Sequence, residues 1–256
     1  MSSWLPLEFK KTILMIGEEI KQNPGFYDPK GSAALVDYKG MLYAVTAKHV
    51  IQNTIDPAFL FNGKDGSIIA RKTSFLYSTI GATWVFHPNP EIDVAVTKFG
   101  IIETTDDVKT ISESLFSKYD GVYDGEDVFF MGFPLSLSSR RKITPVIRQG
   151  CVALKFDEET RIGKITYPEK TIIIDGQVSG GNSGSPVFRK PSFIDMKTRS
   201  IGQYIQPVLI GIVSGHIESI IEDLYGKPIA RENSGLGKIT STDKVIEVID
   251  NMNKTQ

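Results

Sequence analysis

The stretch Gly181-Asn182-Ser183-Gly184-Ser185-Pro186 is the most informative part of this sequence for its fold and chemistry. It lies between two short runs of apolar and β-branched residues, 171–175 and 186–189. Glycines on both sides of a serine allow a tight turn in which backbone N–H groups converge and the hydroxyl is exposed. Because glycine and serine are also common in ordinary loops, the stretch alone gives equal weight to a plain turn.

Similar apolar runs recur about every ten residues along the whole chain. They are rich in β-branched and aromatic residues, and turn dipeptides such as Asn62-Gly63 and Asp65-Gly66 separate them. The runs cover residues 12–16, 33–37, 41–46, 67–71, 82–86, 94–99, 127–131, 152–156, 164–167, 171–175, 186–189 and 207–213. Short strands with this punctuation predict an all-β fold of barrels or a sandwich.

Helix signals are few. Residues 49–52 could form one turn after a strand, and residues 108–118 are predicted to be partly helical. The clearest helix follows Ser241 or Thr242, either of which can cap it. Its apolar stripe at helical spacing consists of Val245, Ile246, Val248 and Ile249. The sequence therefore predicts one C-terminal α-helix on an otherwise β-rich chain.

Length and composition limit the possible classes of protein. The 256 residues allow one large or two small domains, and the interruption of the strand pattern near 105–122 predicts domains at 1–115 and 116–256. A net charge of −1 does not indicate nucleic acid or an anionic membrane as a partner. The single cysteine, Cys151, excludes a disulfide within the chain. With no signal-peptide core or membrane span in view, we expect a cytoplasmic location.

Two further segments place a histidine and an acid beside apolar strands. Thr46-Ala47-Lys48-His49 ends one hydrophobic run, and Asp93-Val94-Ala95-Val96 begins another. Taken singly, most such histidines are structural, and most aspartates before a strand belong to turns. Here histidine, aspartate and serine follow in that order, 44 and 90 residues apart. The combination predicts that His49, Asp93 and Ser183 act together as base, orienting acid and nucleophile.

These segments resemble the motifs of the trypsin/chymotrypsin family of serine proteases. Residues 46–49 resemble its Thr-Ala-Ala-His motif, residues 93–96 its Asp-Ile-Ala-Leu motif, and residues 181–186 its Gly-Asp-Ser-Gly-Gly-Pro motif. Gly211-Ile212-Val213-Ser214-Gly215 is similar to the strand beside the family's substrate cleft. The resemblance implies two six-stranded antiparallel β-barrels, with the active site in the cleft between them.

Two more stretches are similar to the bacterial glutamyl-endopeptidase and HtrA-like branches of that family. They are Gly31-Ser32-Ala33, before the histidine strand, and Gly132-Phe133-Pro134, which opens the second half. The resemblance therefore extends over about residues 12–250. Neither stretch carries a predicted catalytic role.

The resemblance implies a role for each residue of the constellation. His49 would take the proton of Ser183 and pass it to the leaving amine, while Asp93 would fix the imidazole tautomer. The loop of Gly181, Asn182 and Ser183 would form the oxyanion hole, with the N–H groups of Gly181 and Ser183 as donors. The partner would be a protein or peptide substrate, and neither a cofactor nor a metal is expected.

Substrate selection is less distinct in the sequence. The predicted substrate-binding residues are Gln177, Ser214, Gly215 and His216. Gln177 stands where digestive trypsins carry an acid, which argues against a strong preference for Lys or Arg. Ser214 either donates a hydrogen bond to Asp93 or is a plain strand serine, and His216 is either a contact for a polar side chain or a rim residue. His87 is predicted to be a loop residue.

Two other functions remain open. A catalytically weak protease-fold protein could serve as a binding or scaffold module, although a complete set of three candidate residues argues against it. An esterase of another fold would need a Gly-x-Ser-x-Gly elbow, and Ser185 stands in place of the second glycine. The order of the three residues also differs from that of such esterases.

The amide of Asn182 leads to a prediction about activation. It stands where the zymogen proteases of the family have an aspartate that pairs with a freshly cleaved N-terminus. Because a neutral amide cannot form that ion pair, we expect the full-length chain to hydrolyse peptides with its N-terminus intact. Mass spectrometry of the assayed protein checks this, and a chain that stays inert until it is trimmed would contradict it.

Overall fold

The computed structural model of the protein describes residues 7–134, 142–162, 165–191, 194–195, 200–201, 206–222 and 227–254. The strands of the first half are β1 (Ile13–Glu19), β2 (Tyr27–Tyr38), β3 (Met41–Thr46), β4 (Ala58–Asn62), β5 (Ile68–Lys72), β6 (Val85–Phe86), β7 (Ala95–Lys98) and β8 (Ile111–Ser112). Those of the second half are β9 (Asp127–Gly132), β10 (Val146–Phe156), β11 (Thr160–Ile162), β12 (Ile165–Tyr167), β13 (Thr171–Asp175), β14 (Pro186–Arg189), β15 (Ile194–Asp195), β16 (Ser200–Ile201), β17 (Val208–Glu222) and β18 (Pro228–Ser241). The helices are α1 (Lys48–Gln52), α2 (Thr73–Ile80) and α3 (Thr242–Lys254), with 3-10 helices at Leu7–Thr12, Glu113–Leu115 and Tyr119–Gly121.

Two sheets form the body of the molecule. The first runs in the order β5-β4-β1-β2-β3-β7-β6, with β8 paired to β2, and it curls on itself. Two of its eight strands, β6 and β8, are only two residues long. The second sheet is a closed six-stranded barrel in the order β10-β13-β18-β17-β14-β9. The predicted all-β class, with a helix at the C-terminus, is confirmed.

Apolar residues on both faces of the central strands explain the continuous hydrophobic runs of the sequence. In β1, Ile13 and Met15 lie in a core shared by the two halves, while Leu14 and Ile16 lie in the core of the first half. Side chains alternate across a strand, so a strand covered on both faces is apolar throughout. The shared core also contains Phe129, Met131, Phe188 and Leu209 of the second half and Val245, Val248, Ile249 and Met252 of α3.

The helices differ from expectation in two places. Residues 108–118 contain only the 3-10 helix Glu113–Leu115, and α2 was not predicted. The β-branched and aromatic residues of α2 are typical of strands, and the one buried residue of this helix is Leu76. Helix α3 begins at Thr242 and buries Val245 and Val248, as the apolar stripe predicts. Among the described residues, no helix combines the length and apolar character needed to cross a bilayer.

Close to the expected domain boundary, the chain stops pairing with strands of the first half and begins to pair with strands of the second. Strand β8 pairs with β2 of the first half, whereas Phe116 bridges to Leu209 of the second. The division into 1–115, carrying His49 and Asp93, and 116–256, carrying Ser183, stays a prediction.

One buried ion pair closes the outer edge of the first sheet. The Arg71 guanidinium donates to both carboxylate oxygens of Asp106, at 2.7 and 3.0 Å, and to the Gly100 carbonyl at 2.8 Å. The two side chains are only 5% and 0% exposed. Burial of Asp106 opposes its ionisation, but the hydrogen bonds from Arg71 and from the Ile102 N–H outweigh burial, so the pKa of Asp106 lies below its usual range.

Removal of the guanidinium should therefore destabilise the fold. We expect Arg71→Met to lower the free energy of unfolding by about 3–5 kcal/mol at pH 7, because it leaves a buried charge uncompensated. The loss should shrink as the pH falls towards the lowered pKa of Asp106, since the acid of the variant, without its guanidinium, is protonated first and then no longer needs a partner. The matched variant Arg231→Met, at an exposed pair with Glu218, should cost less than about 1 kcal/mol. Equal losses in urea titrations of the two variants would contradict this account.

Candidate active site

Antiparallel pairing of β3 with β7 brings the predicted base and acid together. Thr46, at the end of β3, lies opposite Ala95, at the start of β7. His49 therefore enters the first turn of α1 beside the loop that carries Asp93. The backbone N–H of His49 donates to Asp93 Oδ1 at 3.0 Å, and His49 Nδ1 lies 2.7 Å from Asp93 Oδ2. Two hydrogen bonds thus fix the imidazole relative to the carboxylate.

Ser183 comes from the other half, in the loop between β13 and β14. Its Oγ lies 2.9 Å from His49 Nε2, on the side of the ring away from Asp93. The His49 side chain is 49% exposed and that of Asp93 only 17%, so the histidine faces an open surface above a shielded acid. The structure thus brings His49, Asp93 and Ser183 together in the predicted order of contact.

The charge of Asp93 sets the protonation pattern of the ring. Burial opposes its ionisation, but hydrogen bonds from the His49 ring and backbone, and the positive charge of Lys238, hold the pKa of Asp93 below its usual range. An ionised carboxylate only accepts hydrogen bonds, so Nδ1 of a neutral His49 carries the proton. Nε2 is then free to accept the proton of the Ser183 hydroxyl. This is the arrangement that a general base requires.

The loop that carries Ser183 is held by a strand of the opposite half. Ser32, buried in β2, donates its N–H to the Ser183 carbonyl and its hydroxyl to the Gly181 carbonyl, both at 2.8 Å. The same hydroxyl accepts from the Phe133 N–H at 3.1 Å. Gly184 has φ +83°, and a Cβ there would overlap the Ser32 carbonyl oxygen. Strand β2 therefore fixes the orientation of the Gly181–Asn182 and Ser183–Gly184 peptides.

Ser32 was not predicted to have any role. A serine within an apolar strand carries no local signal of the partner it meets 149 residues later. The only hint lies in the small residues on either side of it, Gly31 and Ala33, which allow a close approach. A Cβ on Gly31 would lie 3.0 Å from the Ser183 carbonyl oxygen, so β2 and the Ser183 loop do approach each other closely at this glycine.

The predicted oxyanion loop needs one correction. The N–H of Asn182 donates to the Ser179 carbonyl at 3.0 Å and is therefore not directed at a substrate. The Asn182 side chain accepts from the Ser179 N–H at 3.1 Å and from its hydroxyl at 3.3 Å. Asn182, fully buried, is thus a brace of the loop rather than a donor to an oxyanion. Gly181, with φ +88°, and Ser183 stay the candidate donors.

The residues predicted to bind substrate lie in two places. Ser214 donates its hydroxyl to the Lys238 carbonyl at 3.1 Å rather than to Asp93, so the support expected for Asp93 is not seen. The reason is a break in strand register between Val213 and Gly215, which re-aims Ser214. Gly215 pairs with Lys238, beside Ser214.

The other two candidates lie at the surface. His216 is exposed, with Nε2 3.9 Å from Glu218 Oε1. Gln177 is also exposed, and its backbone carbonyl accepts from Arg148 Nη1 at 2.5 Å. A contact of either residue with substrate stays a prediction. The described residues contain no group of three or more histidine, cysteine, aspartate or glutamate side chains arranged to hold a metal ion.

The family comparison covers most of the site. The family described as the trypsin-like peptidase domain matches residues 31–191, a range that includes Ser32, His49, Asp93 and Ser183. No curated protein matches the sequence significantly.

Solved structures share the fold at low sequence identity. The apo protease domain of MamO from Magnetospirillum magneticum has a TM-score of 0.56 and 16% identity, over 94% of this chain and 97% of that one. The HtrA-type protease AlgW with a decapeptide has a TM-score of 0.58 and 18% identity, over 96% of this chain and 66% of that one. AlgW with a tripeptide gives 0.55 and 19%, over 96% and 61%. The chain thus spans less than two thirds of the AlgW chains, and these likenesses establish the fold alone.

The Ser32 hydroxyl leads to a prediction about turnover. In Ser32→Ala the Gly181 carbonyl loses its donor, and we expect kcat to fall by up to about 10²-fold, within the range for loss of an oxyanion contact, with KM little changed. Ser241→Ala is the matched control, because Ser241 is equally buried and its hydroxyl has no hydrogen-bond partner among the described residues. Steady-state kinetics on one peptide measure both variants. Equal effects of the two substitutions would contradict a specific role for Ser32.

Proposed function

The chain belongs to the trypsin-like peptidase family, and from this membership we propose that it is a serine endopeptidase. Ser183 is the nucleophile, His49 the general base and Asp93 the orienting acid. The single observation that carries the proposal is the continuous chain of contacts from Asp93 Oδ2 through the His49 ring to Ser183 Oγ, at 2.7 and 2.9 Å. A serine hydroxyl is a weak nucleophile at neutral pH, and such a chain is the means of activating it.

The reaction proceeds through an acyl-enzyme. Ser183 Oγ attacks the scissile carbonyl carbon while its proton moves to His49 Nε2, and the carbonyl oxygen becomes an oxyanion held by the Gly181 and Ser183 N–H groups. Collapse of this intermediate breaks the C–N bond, and the proton on Nε2 passes to the leaving amine. Water then repeats the sequence on the ester, which releases the acid and restores Ser183. Asp93 stays ionised throughout and stabilises the imidazolium.

Activity without trimming of the N-terminus is part of the proposal. Ser179 and Asn182 brace each other through three hydrogen bonds of 3.0, 3.1 and 3.3 Å. Ser32 adds a fourth contact to the same loop through the Gly181 carbonyl. These contacts are all made within the folded chain, so the oxyanion loop needs no charged N-terminus to hold its shape.

The substrate class is a protein or peptide. This follows from the family, and AlgW, whose structures are described with a tripeptide and a decapeptide, has the same fold. The open upper face of His49 leaves room for an extended chain to reach Ser183.

A covalent probe tests the nucleophile directly. We expect a fluorophosphonate to label the wild-type protein on Ser183, because only an activated serine reacts with it. Ser183→Ala should abolish both labelling and peptide hydrolysis. Ser185→Ala is the matched control, since the Ser185 hydroxyl is buried and cannot reach the probe, and this variant should still be labelled.

Two outcomes would count against the proposal. Labelling that persists in Ser183→Ala would place the nucleophile elsewhere. Labelling of the wild type without hydrolysis of any member of a peptide library would instead favour a catalytically weak binding module.

A further inference from the structure

The loop between β6 and β7, residues 87–94, carries Asp93 and is built around the side chain of His87. The Asn89 N–H donates to His87 Nδ1 at 3.0 Å, and the Glu91 N–H donates to Asn89 Oδ1 at the same distance. The Asn89 carbonyl then accepts from the Ile92 N–H at 3.1 Å. These bonds run in sequence from His87 to the residue before Asp93. The position of the His87 ring therefore fixes the course of the loop.

The contacts of His87 determine which of its nitrogens carries the proton. A backbone N–H can only donate, so Nδ1 accepts from Asn89 and is unprotonated. Nε2 lies 2.9 Å from Glu247 Oε2 and donates to that carboxylate. The His87 side chain is only 9% exposed. His87 is thus a neutral, buried link with one end on the Asp93 loop and the other on helix α3.

The link continues from α3 to the second barrel. Glu247 accepts from Lys244 Nζ at 3.1 and 3.3 Å, and Lys244 Nζ also donates to Glu169 Oε1 at 2.7 Å. Glu169 lies in the turn between β12 and β13. Lys244 is 6% exposed; burial opposes its charge, but the bonds to both carboxylates outweigh burial, so its pKa lies above the usual range. The charged ammonium therefore holds two acids from different parts of the second half.

We propose that His87 is a positioning residue for Asp93, through which Glu247 of α3 sets the place of the acid relative to the barrel that carries Ser183. The inference rests on the proposed function, since it concerns how the same site is aligned. Two hydrogen bonds join His49 to Asp93. A shift of the loop that carries Asp93 therefore moves the His49 ring relative to Ser183. Because the link acts through Asp93, its effect should fall on kcat rather than on KM.

The chemistry of the imidazole allows its two contacts to be separated. In His87→Asn the side-chain oxygen can still accept from the Asn89 N–H, in an Asx turn, but it does not reach Glu247. Glu247→Ala cuts the same link from the other side. Glu247→Gln keeps a side-chain oxygen that accepts from His87 Nε2, so this variant should retain the link between His87 and α3. Asp250→Ala is the matched control, because it cuts a 2.9 Å pair between Lys39 and α3 that does not involve the Asp93 loop.

Steady-state kinetics on one peptide provide the first readout. We expect kcat to fall between about 10- and 100-fold in His87→Asn and in Glu247→Ala, the scale for a misplacement remote from the reacting atoms, with KM unchanged. The double variant should lose no more than either single variant, because both break one link. Glu247→Gln and Asp250→Ala should keep the wild-type kcat. An unchanged kcat in both cutting variants, or losses that multiply in the double, would overturn the proposal.

A second readout separates this inference from the proposed function. The proton NMR signal of His49 Nδ1–H reports its hydrogen bond to Asp93 whether or not peptides are cleaved. It should shift or broaden in His87→Asn and Glu247→Ala but not in Asp250→Ala. A wild type that neither hydrolyses peptides nor takes the fluorophosphonate would overturn the proposed function alone. A His49 signal that is the same in all these proteins would overturn the role of His87.

Discussion

The hydrogen bonds of Ser32 are the constraint on which the candidate site depends, because they join the strand order of the first half to the loop that carries Ser183. His49 belongs to the first half and Ser183 to the second, and their contact of 2.9 Å crosses the boundary between them. Two backbone carbonyls of the loop, those of Gly181 and Ser183, are held by one residue of β2. A shift of one half against the other would therefore disturb Ser183 and the candidate oxyanion donors together.

The interface between the two halves consists of a wide apolar core and of polar contacts at the candidate site. The shared core packs β1, β9 and α3 together, which supplies non-directional stabilisation over a wide area. Among the directional contacts between the halves, those of Ser32 hold the loop that carries Ser183, and that of His87 joins the Asp93 loop to α3. Hydrogen bonds specify orientation more strictly than packing does, since a buried donor left without a partner costs about 1–3 kcal/mol. The apolar core therefore holds the two halves together, and the hydrogen bonds set how one half is oriented relative to the other.

The sequence predicted the elements that define the site more reliably than the contacts that align it. Strands β3, β13 and β14 have the bounds that their apolar runs indicate, and His49, Asp93 and Ser183 meet as their order and motifs suggest. Contacts between residues far apart in the chain could not be predicted where no motif marks them. The partner of Ser32 lies 149 residues away, and that of His87 lies 160 residues away. The sequence could not decide whether the Ser214 hydroxyl donates to Asp93, because its direction depends on a break in the register of β17 and β18, which leaves no mark in the sequence.

We propose that Ser183, aligned with His49 and with the N–H groups of Gly181 and Ser183, forms a covalent intermediate. A crystal structure of the protein after reaction with a fluorophosphonate tests it most directly, since the adduct resembles the tetrahedral intermediate. We expect phosphorus bonded to Ser183 Oγ and a phosphoryl oxygen about 2.7–3.1 Å from the Gly181 and Ser183 nitrogens, with His49 still bound to Asp93. An adduct on another residue, or a phosphoryl oxygen directed away from both N–H groups, would contradict it.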